Sequence, residues 1–452
     1  MTQVADFRGR AAGRRRYNAV LSAPEVWQDV DGSQRDRQPE PRVVIVAETA
    51  SAIFGGEALL PLQYFRLLRG RGAEAWLVVH DRTTRELQDT LGPEMARVRL
   101  LRDTWIEKRF SQLVNLTGKS STIETMLRTF TQWRLKRVVR RLVREVRATV
   151  VHQPTPVSPR SPSFIYDVGA PVVIGPMNGG MEYPPGFKVG VGRLKNGLRS
   201  AARAIAPLTH LVARGKRKAA VLLVANKRTQ ASLPPGSATR VIELVENGVD
   251  LDVFRMPDRR RDVDGPPSFA YIGRLIPWKA VDLLLIAAKE ALRQTPFRLI
   301  IIGDGEERAR LEALTRELDL VAQITFTGFL SQTECAAQLE RVDALVLPSL
   351  FECGGAVVLE AMAKGLPVIA TNWGGPADYL DATTGILVDP DNREQFITGL
   401  AAALIRMAGS PELRRSMGAA GRARVEDVYD WQRKIDRMVE IYREVQPAGA
   451  HT

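Results

Sequence analysis

The chain is poor in cysteine and histidine and has no long apolar run. Its 452 residues include two cysteines and four histidines. Two cysteines cannot form a disulfide framework or a four-cysteine zinc site, which suits a reducing compartment. No stretch approaches the ~18 apolar residues of a membrane span, and the basic residues at the start are not followed by the apolar core of a signal peptide. We therefore expect a cytoplasmic protein without a spanning helix.

What is present is an ordinary globular composition in a long chain. Apolar residues make up 45% of the sequence and charged residues 25%, as in soluble domains. This length predicts two domains, each with a substantial core. Residues 1–40 are polar, rich in Arg and Asp and without apolar periodicity, so we expect a disordered or loosely attached arm there.

Positive charge is concentrated in one region of the chain. The net charge is +13, and residues 101–230 alone hold 24 Lys and Arg against 6 Asp and Glu. One basic cluster falls on a predicted helix, and a second, at 188–218, has apolar residues between its cations. This pattern fits three alternatives: a solvated basic face, peripheral contact with an anionic membrane, or an acidic acceptor.

Apolar runs alternate with helical patterns through the first half of the chain. A strand at 42–47, a helix from 57 to about 69 and a strand at 75–79 predict a parallel sheet. Loops rich in Pro and Gly follow later strands, where loops commonly carry function. The other elements predicted in this half are helices near 105–116 and at 122–147, strands at 149–151 and 171–174, and a basic amphipathic helix at about 194–212.

A second series of the same kind fills the other half of the chain. A long helix is predicted at about 391–407, and the pattern at 431–445 has the apolar spacing of a packed final helix. The fold class is therefore α/β, with two doubly wound parallel-sheet domains. The strands predicted in the second half are 269–272, 298–302, 324–327, 344–347, 367–370 and 385–388.

The most informative stretch, residues 343–371, reads as strand, polar loop, helix and strand. Glu352 falls in the loop beyond the carboxyl end of the strand, where open α/β sheets bind ligands. Gly354 and Gly355 let the backbone approach a ligand closely, just before a helix whose N-terminus favours phosphate. Glu360 lies about one turn into that helix, eight residues after Glu352.

This spacing resembles the E-x7-E signature of the retaining GT-B glycosyltransferases of family 4, also called group 1. The resemblance is tight over residues 247–388 and looser over 43–442. It implies two Rossmann-like domains that face a cleft: an acceptor-side domain at 41–246, a donor-binding domain at 247–428, and a helix at 429–446 that returns to the first domain. The other matching motifs, in order, are Asn247-Gly248-Val249-Asp250, Gly273-Arg274-Leu275 with Lys279, Gly303-Asp304-Gly305 and Gly374-Gly375.

The resemblance also implies roles for single residues. The family's matching Arg and Lys contact the donor diphosphate, so Arg274 and Lys279 would stabilise the departing phosphates. Glu360 would accept hydrogen bonds from the ribose diol, because one carboxylate can accept from two vicinal hydroxyls. Glu352 would contact hydroxyls of the donor sugar.

Two positions depart from the family pattern. Ala280 stands where a Gly usually follows the Lys, and Cys353 stands where a Gly usually follows the first Glu. Ala is small enough to preserve a phosphate loop. We interpret Cys353 as a packing residue rather than a nucleophile, because no His lies near it in the sequence. The identity of the donor sugar stays open.

A nucleotide base would lie beside Phe329 and Leu330, which follow a strand at the place where the family holds the base. Gly303 and Gly305 also follow a strand, and such a pair can open a dinucleotide-binding fingerprint. Arg308 stands where the third glycine of that fingerprint would be. We therefore reject an NAD-dependent dehydrogenase and interpret the two glycines as a tight turn that faces the cleft.

The first domain supplies fewer candidates. Gly55 and Gly56 resemble the family's glycine-rich loop that faces the donor phosphates, although an ordinary turn gives the same pair. His152 follows a strand directly and matches the family's His at the acceptor-side edge, which implies a hydrogen bond to the transferred sugar; a structural His is the alternative. Asn178 lies in an analogous loop and is a weaker candidate for the acceptor pocket.

The sequence therefore predicts a retaining glycosyltransferase that moves a sugar from a UDP-, GDP-, ADP- or dTDP-linked donor to a hydroxyl acceptor of polysaccharide, glycolipid or other glycoconjugate biosynthesis. No DxD-like motif or His/Asp cluster is apparent, so neither cofactor nor metal is predicted. A nucleotide-sugar hydrolase or epimerase of the same architecture stays open, whereas a nucleic-acid-binding protein explains the charge but not the motifs. The predicted catalytic residues are His152, Arg274, Lys279 and Glu352, and the predicted donor-site residues are Gly55, Gly56, Gly273, Gly303, Gly305, Phe329, Leu330, Gly354, Gly355, Ala356 and Glu360.

Overall fold

The molecule is organised by two β-sheets, one in each half of the chain. The computed structural model describes residues 40–52, 56–105, 121–187, 212–256 and 265–447, with the side chains of the helix at 121–146 described from residue 129. The strands are β1 Val43–Val46, β2 Ala75–His80, β3 Val98–Leu101, β4 Val150–Gln153, β5 Val172–Met177, β6 Val221–Val224, β7 Val241–Glu243, β8 Ser268–Ile272, β9 Arg298–Ile302, β10 Ile324–Gly328, β11 Ala344–Leu347, β12 Val368–Thr371 and β13 Gly385–Val388.

Helices connect most of the successive strands, as is usual in parallel sheets, whereas β4 and β5 are joined by residues 154–171 without a helix. The helices are α1 Leu59–Gly70, α2 Thr84–Leu91, α3 Ser121–Val146, α4 Gly215–Lys218, α5 Lys227–Ala231, α6 Val281–Leu292, α7 Arg308–Glu317, α8 Gln332–Leu339, α9 Ala356–Ala363, α10 Gly375–Tyr379, α11 Arg393–Gly409, α12 Pro411–Arg424 and α13 Trp431–Val445. Shorter turns of 3-10 helix include Gly56–Ala58 and Pro277–Lys279.

Both sheets are parallel and both reverse their strand order once. The first sheet has the order β3-β2-β1-β4-β5-β6-β7, and the second has β10-β9-β8-β11-β12-β13. Every neighbouring pair is parallel. The order reverses between β1 and β4 in one sheet and between β8 and β11 in the other, and doubly wound sheets bind ligands at such points. The predicted α/β class with two doubly wound sheets is confirmed.

The strands read as continuous apolar runs because both faces of each sheet are covered. In β1, Val43 and Ile45 join one buried cluster of the first sheet, whereas Val44 and Val46 join the cluster on the opposite face. Side chains alternate across a strand, so one four-residue segment feeds two cores. The second sheet has a larger single cluster of its own.

The final helix packs on the first sheet although it follows the second in sequence. Trp431, Ile435, Met438, Ile441 and Tyr442 of α13 are buried in the same cluster as β1 and α1. Its apolar face therefore packs this helix on the first half of the chain, as the resemblance to the GT-B glycosyltransferases implies. The domain boundaries at 41, 247 and 429 stay predictions.

Most predicted elements are present, and three short strands were missed. The predicted strands at 298–302, 344–347 and 385–388 match β9, β11 and β13 to the residue. The missed strands β3, β6 and β7 lie towards the edges of the first sheet. Residues 1–39, most of the predicted helix at 105–116, and all of the basic stretch at 188–211 lie outside the described residues. None of the helices in the described ranges is long and apolar enough to cross a bilayer.

Candidate functional site

The predicted residues of the second half lie on one edge of its sheet. Arg274 follows β8, Gly303 follows β9, Phe329 follows β10 and Glu352 lies in the loop after β11. Parallel strands present their carboxyl ends at the same edge, so these loops meet there. The loops after β8 and β11 flank the point where the strand order reverses, which is the expected position of a ligand site.

Two glycines allow the loop after β9 to pack tightly against the loop after β8. Gly303 has φ +137°, and a Cβ there would lie 1.9 Å from the carbonyl oxygen of Gly273. A Cβ on Gly305 would lie 2.2 Å from the carbonyl oxygen of Leu275. These glycines are therefore required by close backbone approach, and the predicted tight turn that faces the cleft stays a prediction.

The loop after β8 carries the two predicted cations. The buried hydroxyl of Tyr271 donates to the carbonyl oxygen of Arg274 at 2.9 Å and fixes the start of this loop, while the Arg274 residue itself is exposed. Lys279 ends the 3-10 turn Pro277–Lys279, and Ala280 then adopts left-handed φ 51° and ψ 35° at the start of α6. The family's glycine at this position is explained by that conformation, which a side chain adopts only at a cost.

Lys279 and Glu352 are paired across the two loops. The Lys279 Nζ donates to the Glu352 Oε2, and their side chains are only 14% and 17% exposed. The amide of Gly375 donates to the carbonyl oxygen of Glu352 at 2.8 Å, which fixes the loop from its other side. The structure thus brings together a cation and a carboxylate that are 73 residues apart in sequence.

The helix α9 begins immediately beyond this pair. Gly355 precedes it with φ +86°, and no side chain in the described part of the protein caps the helix N-terminus, so its first N–H groups are open to an anion. Glu360 lies one turn further along, where burial raises the pKa of its carboxyl group to about 7 despite an opposing hydrogen bond from Gln332 at 3.4 Å. The Phe329 ring is 72% exposed on the loop before α8.

The residues predicted in the first half of the chain do not all lie where a ligand could contact them. Gly56 is exposed, has φ +51° and begins the 3-10 turn Gly56–Ala58, whereas Gly55 lies outside the described residues. His152 lies within β4 and is fully buried. The predicted hydrogen bond from His152 to a transferred sugar is therefore not available in this arrangement, because its ring has no accessible surface.

The His152 ring connects β4 to β5 and α13. Its Nε2 lies 2.6 Å from the carbonyl oxygen of Gly175, and its Nδ1 lies 2.7 Å from the hydroxyl of Tyr442. A carbonyl oxygen only accepts, so Nε2 carries the proton and Nδ1 accepts from the tyrosine. Burial lowers the pKa of His152 to about 4, which keeps the ring neutral.

A buried polar network joins the two halves behind the E-x7-E loop. The Asn178 side-chain amide donates to Glu246 at 2.6 Å and to the carbonyl oxygen of Cys353 at 2.7 Å. The Asn247 amide donates to the same Glu246 oxygen at 3.0 Å. A Cβ on Gly354 would lie 2.4 Å from both side chains, so only glycine fits there. Burial raises the pKa of the Cys353 thiol to about 11, which agrees with a packing role.

An interdomain pocket of about 390 Å³ opens beside this loop, and most of its residues were not predicted. The only sequence signals for it were the Gly-rich loop after β5 and the Gly374-Gly375 pair. The residues lining the interdomain pocket are Gly180, Met181, Glu182, Tyr183, Pro185, Arg228, Trp373 and Gly374.

A group of potential metal ligands was also missed. Among the described residues, His80, Asp81 and Asp103 place one ligand atom each within 4.8 Å of one another. The ring nitrogens of His80 lie 3.1 Å from Asp81 and 3.0 Å from Asp103. The sequence separates Asp103 from the other two by α2 and β3, so only the pairing of β2 with β3 brings them together.

Comparison with known sequences found similar proteins over part of the chain. Residues 255–424 match the family described as Glycosyl transferases group 1. The chain is 33% identical to glycogen synthase of Mycobacterium tuberculosis over 211 residues, which are 46% of this chain and 49% of that protein. It is 31% identical to D-inositol 3-phosphate glycosyltransferase of Segniliparus rotundus over 264 residues, 54% of this chain and 57% of that protein. The chain thus spans about half the length of these relatives.

Comparison with solved structures bears on the whole fold. Anabaena HepE in complex with UDP and glucose superposes with a TM-score of 0.60 at 17% sequence identity, covering 89% of this chain and 99% of that one. At this identity the likeness establishes the fold alone. The fold is GT-B, with two Rossmann-like parallel-sheet domains.

Proposed function

We propose that the chain is a glycosyltransferase that moves a sugar from a nucleotide donor to a hydroxyl acceptor with retention of the anomeric configuration, as in family 4. One observation carries this proposal: Lys279, Glu352, Glu360 and the open N-terminus of α9 converge at the switch point of the second sheet. The match of residues 255–424 to group 1 glycosyl transferases supports it, because that segment contains all of these residues.

The donor diphosphate would lie between the loop after β8 and the N-terminus of α9. Arg274 is exposed there, and Lys279 is held by Glu352 until a stronger anion arrives. A diphosphate offers more negative charge than one carboxylate, so Lys279 would turn from Glu352 to the phosphates on binding. That exchange frees Glu352 for hydroxyls of the donor sugar.

The nucleoside would extend along the same edge of the sheet. The Glu360 carboxylate would accept hydrogen bonds from the ribose diol, and Phe329 and Leu330 would contact the base. Gly303 and Gly305 have no side chains that would occupy the space between the ribose and base positions. The base and the sugar stay undefined among UDP, GDP, ADP and dTDP donors.

The reaction would follow same-face attack. The acceptor oxygen forms a bond to the anomeric carbon on the face from which the nucleoside diphosphate departs, and the leaving phosphate takes the proton of the acceptor hydroxyl. Lys279 and Arg274 stabilise the charge that develops on that phosphate. A nucleotide-sugar hydrolase would instead release free sugar without an acceptor, so product analysis separates the two.

His152 is a positioning residue in this proposal. Its hydrogen bonds to Gly175 and Tyr442 hold the end of β4 against β5 and α13, and these strands carry the acceptor-side loops. Gly55 and Gly56 would face the donor phosphates from the first domain. No step needs a metal ion, so transfer should survive treatment with EDTA.

The basic face of α3 supports a peripheral membrane location at the inner face of the cytoplasmic membrane. Arg137, Arg140, Arg141 and Arg144 are exposed along this helix. The protein should cosediment with vesicles that contain anionic lipid at low salt and be released as salt rises. Each cation near the surface should contribute about 1 kcal/mol to the free energy of membrane binding. Retention of binding after Arg137, Arg140 and Arg141 are all changed to Glu would exclude this face as the contact.

A thermal-shift screen of UDP, GDP, ADP and dTDP, each with its common sugars, tests the proposal. The donor class should raise the melting temperature most strongly, because ligand binding to the folded state stabilises by mass action. Nuclear magnetic resonance of the product formed from that donor should then show the donor's own anomeric configuration. A protein that ignores every nucleotide, or a product of inverted configuration, contradicts the proposal.

A further inference from the structure

The interdomain pocket is built from both halves of the molecule. The loop after β5 supplies Met181 and Tyr183, α5 supplies Arg228, and the loop after β12 supplies Trp373 and Gly374. Its volume of about 390 Å³ falls in the range of small-ligand pockets. The Trp373 indole N–H donates to the carbonyl oxygen of Glu182 at 2.8 Å, so the two domains meet at one wall of the pocket.

The pocket adjoins the backbone of Glu352. A Cβ on Gly374 would lie 2.4 Å from the carbonyl oxygen of Glu352 and 2.5 Å from the sulfur of Met181. The Tyr183 ring lies 5.2 Å from the ring of Phe351, the residue before Glu352. A ligand in the pocket would therefore lie next to the loop that we assign to the donor sugar.

The walls of the pocket suit a ring with an apolar face. The Trp373 N–H already has its acceptor, which fixes the indole plane and leaves its π surface for contact. Tyr183 is half-buried and adds a second aromatic side chain. Pyranose rings present C–H groups on their faces and hydroxyls at their edges, so aromatic walls with a few polar groups match them.

The charges argue against an anionic ligand. Arg228 is the only cation among the lining residues, and it forms an ion pair with Asp378 at 2.9 Å. The Arg228 side chain is still 30% exposed, so a ligand in the pocket can reach the rest of its guanidinium. A phosphate or carboxylate would find no uncompensated positive charge, whereas a neutral hydroxyl could accept a hydrogen bond from the exposed part of the guanidinium.

We infer that the interdomain pocket binds an uncharged glycosyl unit of the acceptor, stacked on Trp373 and Tyr183 and hydrogen-bonded by Arg228. This inference rests on the proposed function and names its acceptor class: a neutral carbohydrate. The acceptor hydroxyl would then reach the donor sugar past the backbone of Glu352.

The test is a glycan array of neutral and anionic oligosaccharides, probed with the full chain in the presence of the nucleoside diphosphate that stabilises it most. Neutral glycans should bind, and Trp373→Ala should weaken that binding about tenfold or more. Trp373→Phe should retain most of it because the aromatic face remains. Trp105→Ala, which removes an indole that is 75% exposed outside this pocket, should change nothing.

The possible results distinguish failure of the pocket proposal from failure of the proposed glycosyltransferase function. The inference is overturned if only anionic glycans or no glycans bind, or if Trp373→Ala binds neutral glycans as the wild type does while its nucleotide-induced thermal shift is intact. Glycan binding by a chain that no nucleotide stabilises would support the pocket and contradict the transferase. Tyr183→Ala serves as the second variant if Trp373→Ala does not fold.

Discussion

At the scale of single residues, the proposed donor site contains a cation and a carboxylate that neutralise each other's charge. Lys279 and Glu352 form a half-buried ion pair. Either charge alone would have an unfavourable desolvation energy, which the pairing offsets. Ala280, directly after the Lys, occupies a left-handed conformation at the start of α6. The same short segment thus contains the predicted phosphate ligand and a strained departure from the family pattern.

Replacing Ala280 with Gly should stabilise the protein. Left-handed backbone costs a residue with a Cβ about 1 kcal/mol, and glycine avoids most of that cost. The free energy of unfolding, measured by urea denaturation, should rise by up to about 1 kcal/mol. Ala287→Gly in the right-handed interior of the same helix is the control and should lower it. Equal losses in both variants would contradict the strain at Ala280.

Glu360 should make nucleotide binding depend on pH near neutrality. Burial raises the pKa of its carboxyl group to about 7, so the protonated form dominates below that pH. A ribose diol donates hydrogen bonds, so it prefers the carboxylate, and affinity should fall by up to about tenfold per pH unit below 7. The terminal phosphate of the ligand titrates nearby. Glu360→Gln is therefore the reference, and calorimetric titrations that show the same pH slope in both proteins would refute the role of Glu360.

At the scale of elements, the last helix and the E-x7-E loop join the two halves of the chain. The α13 helix packs its apolar face on the first sheet, and its Tyr442 reaches His152 in β4. On the other side, Gly354 lies against Asn247 and Glu246 in the connection between the sheets. Both contacts are buried, so each couples the position of a loop to the stability of the fold.

His152 should make the fold sensitive to acid. Its pKa is about 4 in the folded state and near 6.5 when unfolded, so the unfolded state binds the proton first as the pH falls. Stability is thus fully present above pH 6.5 and is lost by about 3 kcal/mol as the pH falls from 6.5 to 4. His152→Gln should have a flatter dependence of unfolding free energy on pH across that window. Parallel curves for the two proteins would contradict the buried neutral ring.

Gly354→Ala should destabilise the junction between the sheets. Its Cβ would lie 2.4 Å from two hydrogen-bonded side chains that have little room to move, and such overpacking costs about 1–3 kcal/mol. Gly409→Ala is the matched control, because a Cβ there meets no described atom within 4 Å at the end of α11. The melting temperature should fall for the first variant and stay or rise for the second. An unchanged melting temperature for Gly354→Ala would show that the loop is not packed as described.

The sequence predicts well those elements whose own residues form a clear local pattern. Strands such as β9 and β11 are continuous apolar runs, and Gly365 ends α9 with the left-handed φ of 66° expected of a helix C-terminus. The strands β3 and β7 were missed because short edge strands depend on pairing rather than on pattern. Likewise, Lys279 and Glu352 were both predicted, but not their pairing. The burial of His152 and the aromatic walls of the interdomain pocket depend on tertiary contacts that no local spacing encodes.

At the scale of the whole molecule, two similar sheets play different parts. The second sheet has the strand-order reversal, the N-terminus of α9 and the charged residues that we assign to the proposed donor. The first sheet supplies the glycine-rich loops, one side of the interdomain pocket and the exposed cations of α3. Donor affinity should therefore reside in the second half of the chain, and acceptor choice largely in the first.

The most direct test of the central claim is isothermal titration of the wild type, Lys279→Met and Lys289→Met with the nucleoside diphosphate that stabilises the protein best. Both substitutions remove one ammonium group beside or within α6, but only Lys279 faces Glu352 across the cleft. Loss of a charged hydrogen bond to phosphate should weaken binding by Lys279→Met by about 2 kcal/mol, or some 30-fold. Lys289→Met should bind as the wild type does. Equal affinities for all three proteins would contradict a nucleotide-sugar site at the switch point of the second sheet.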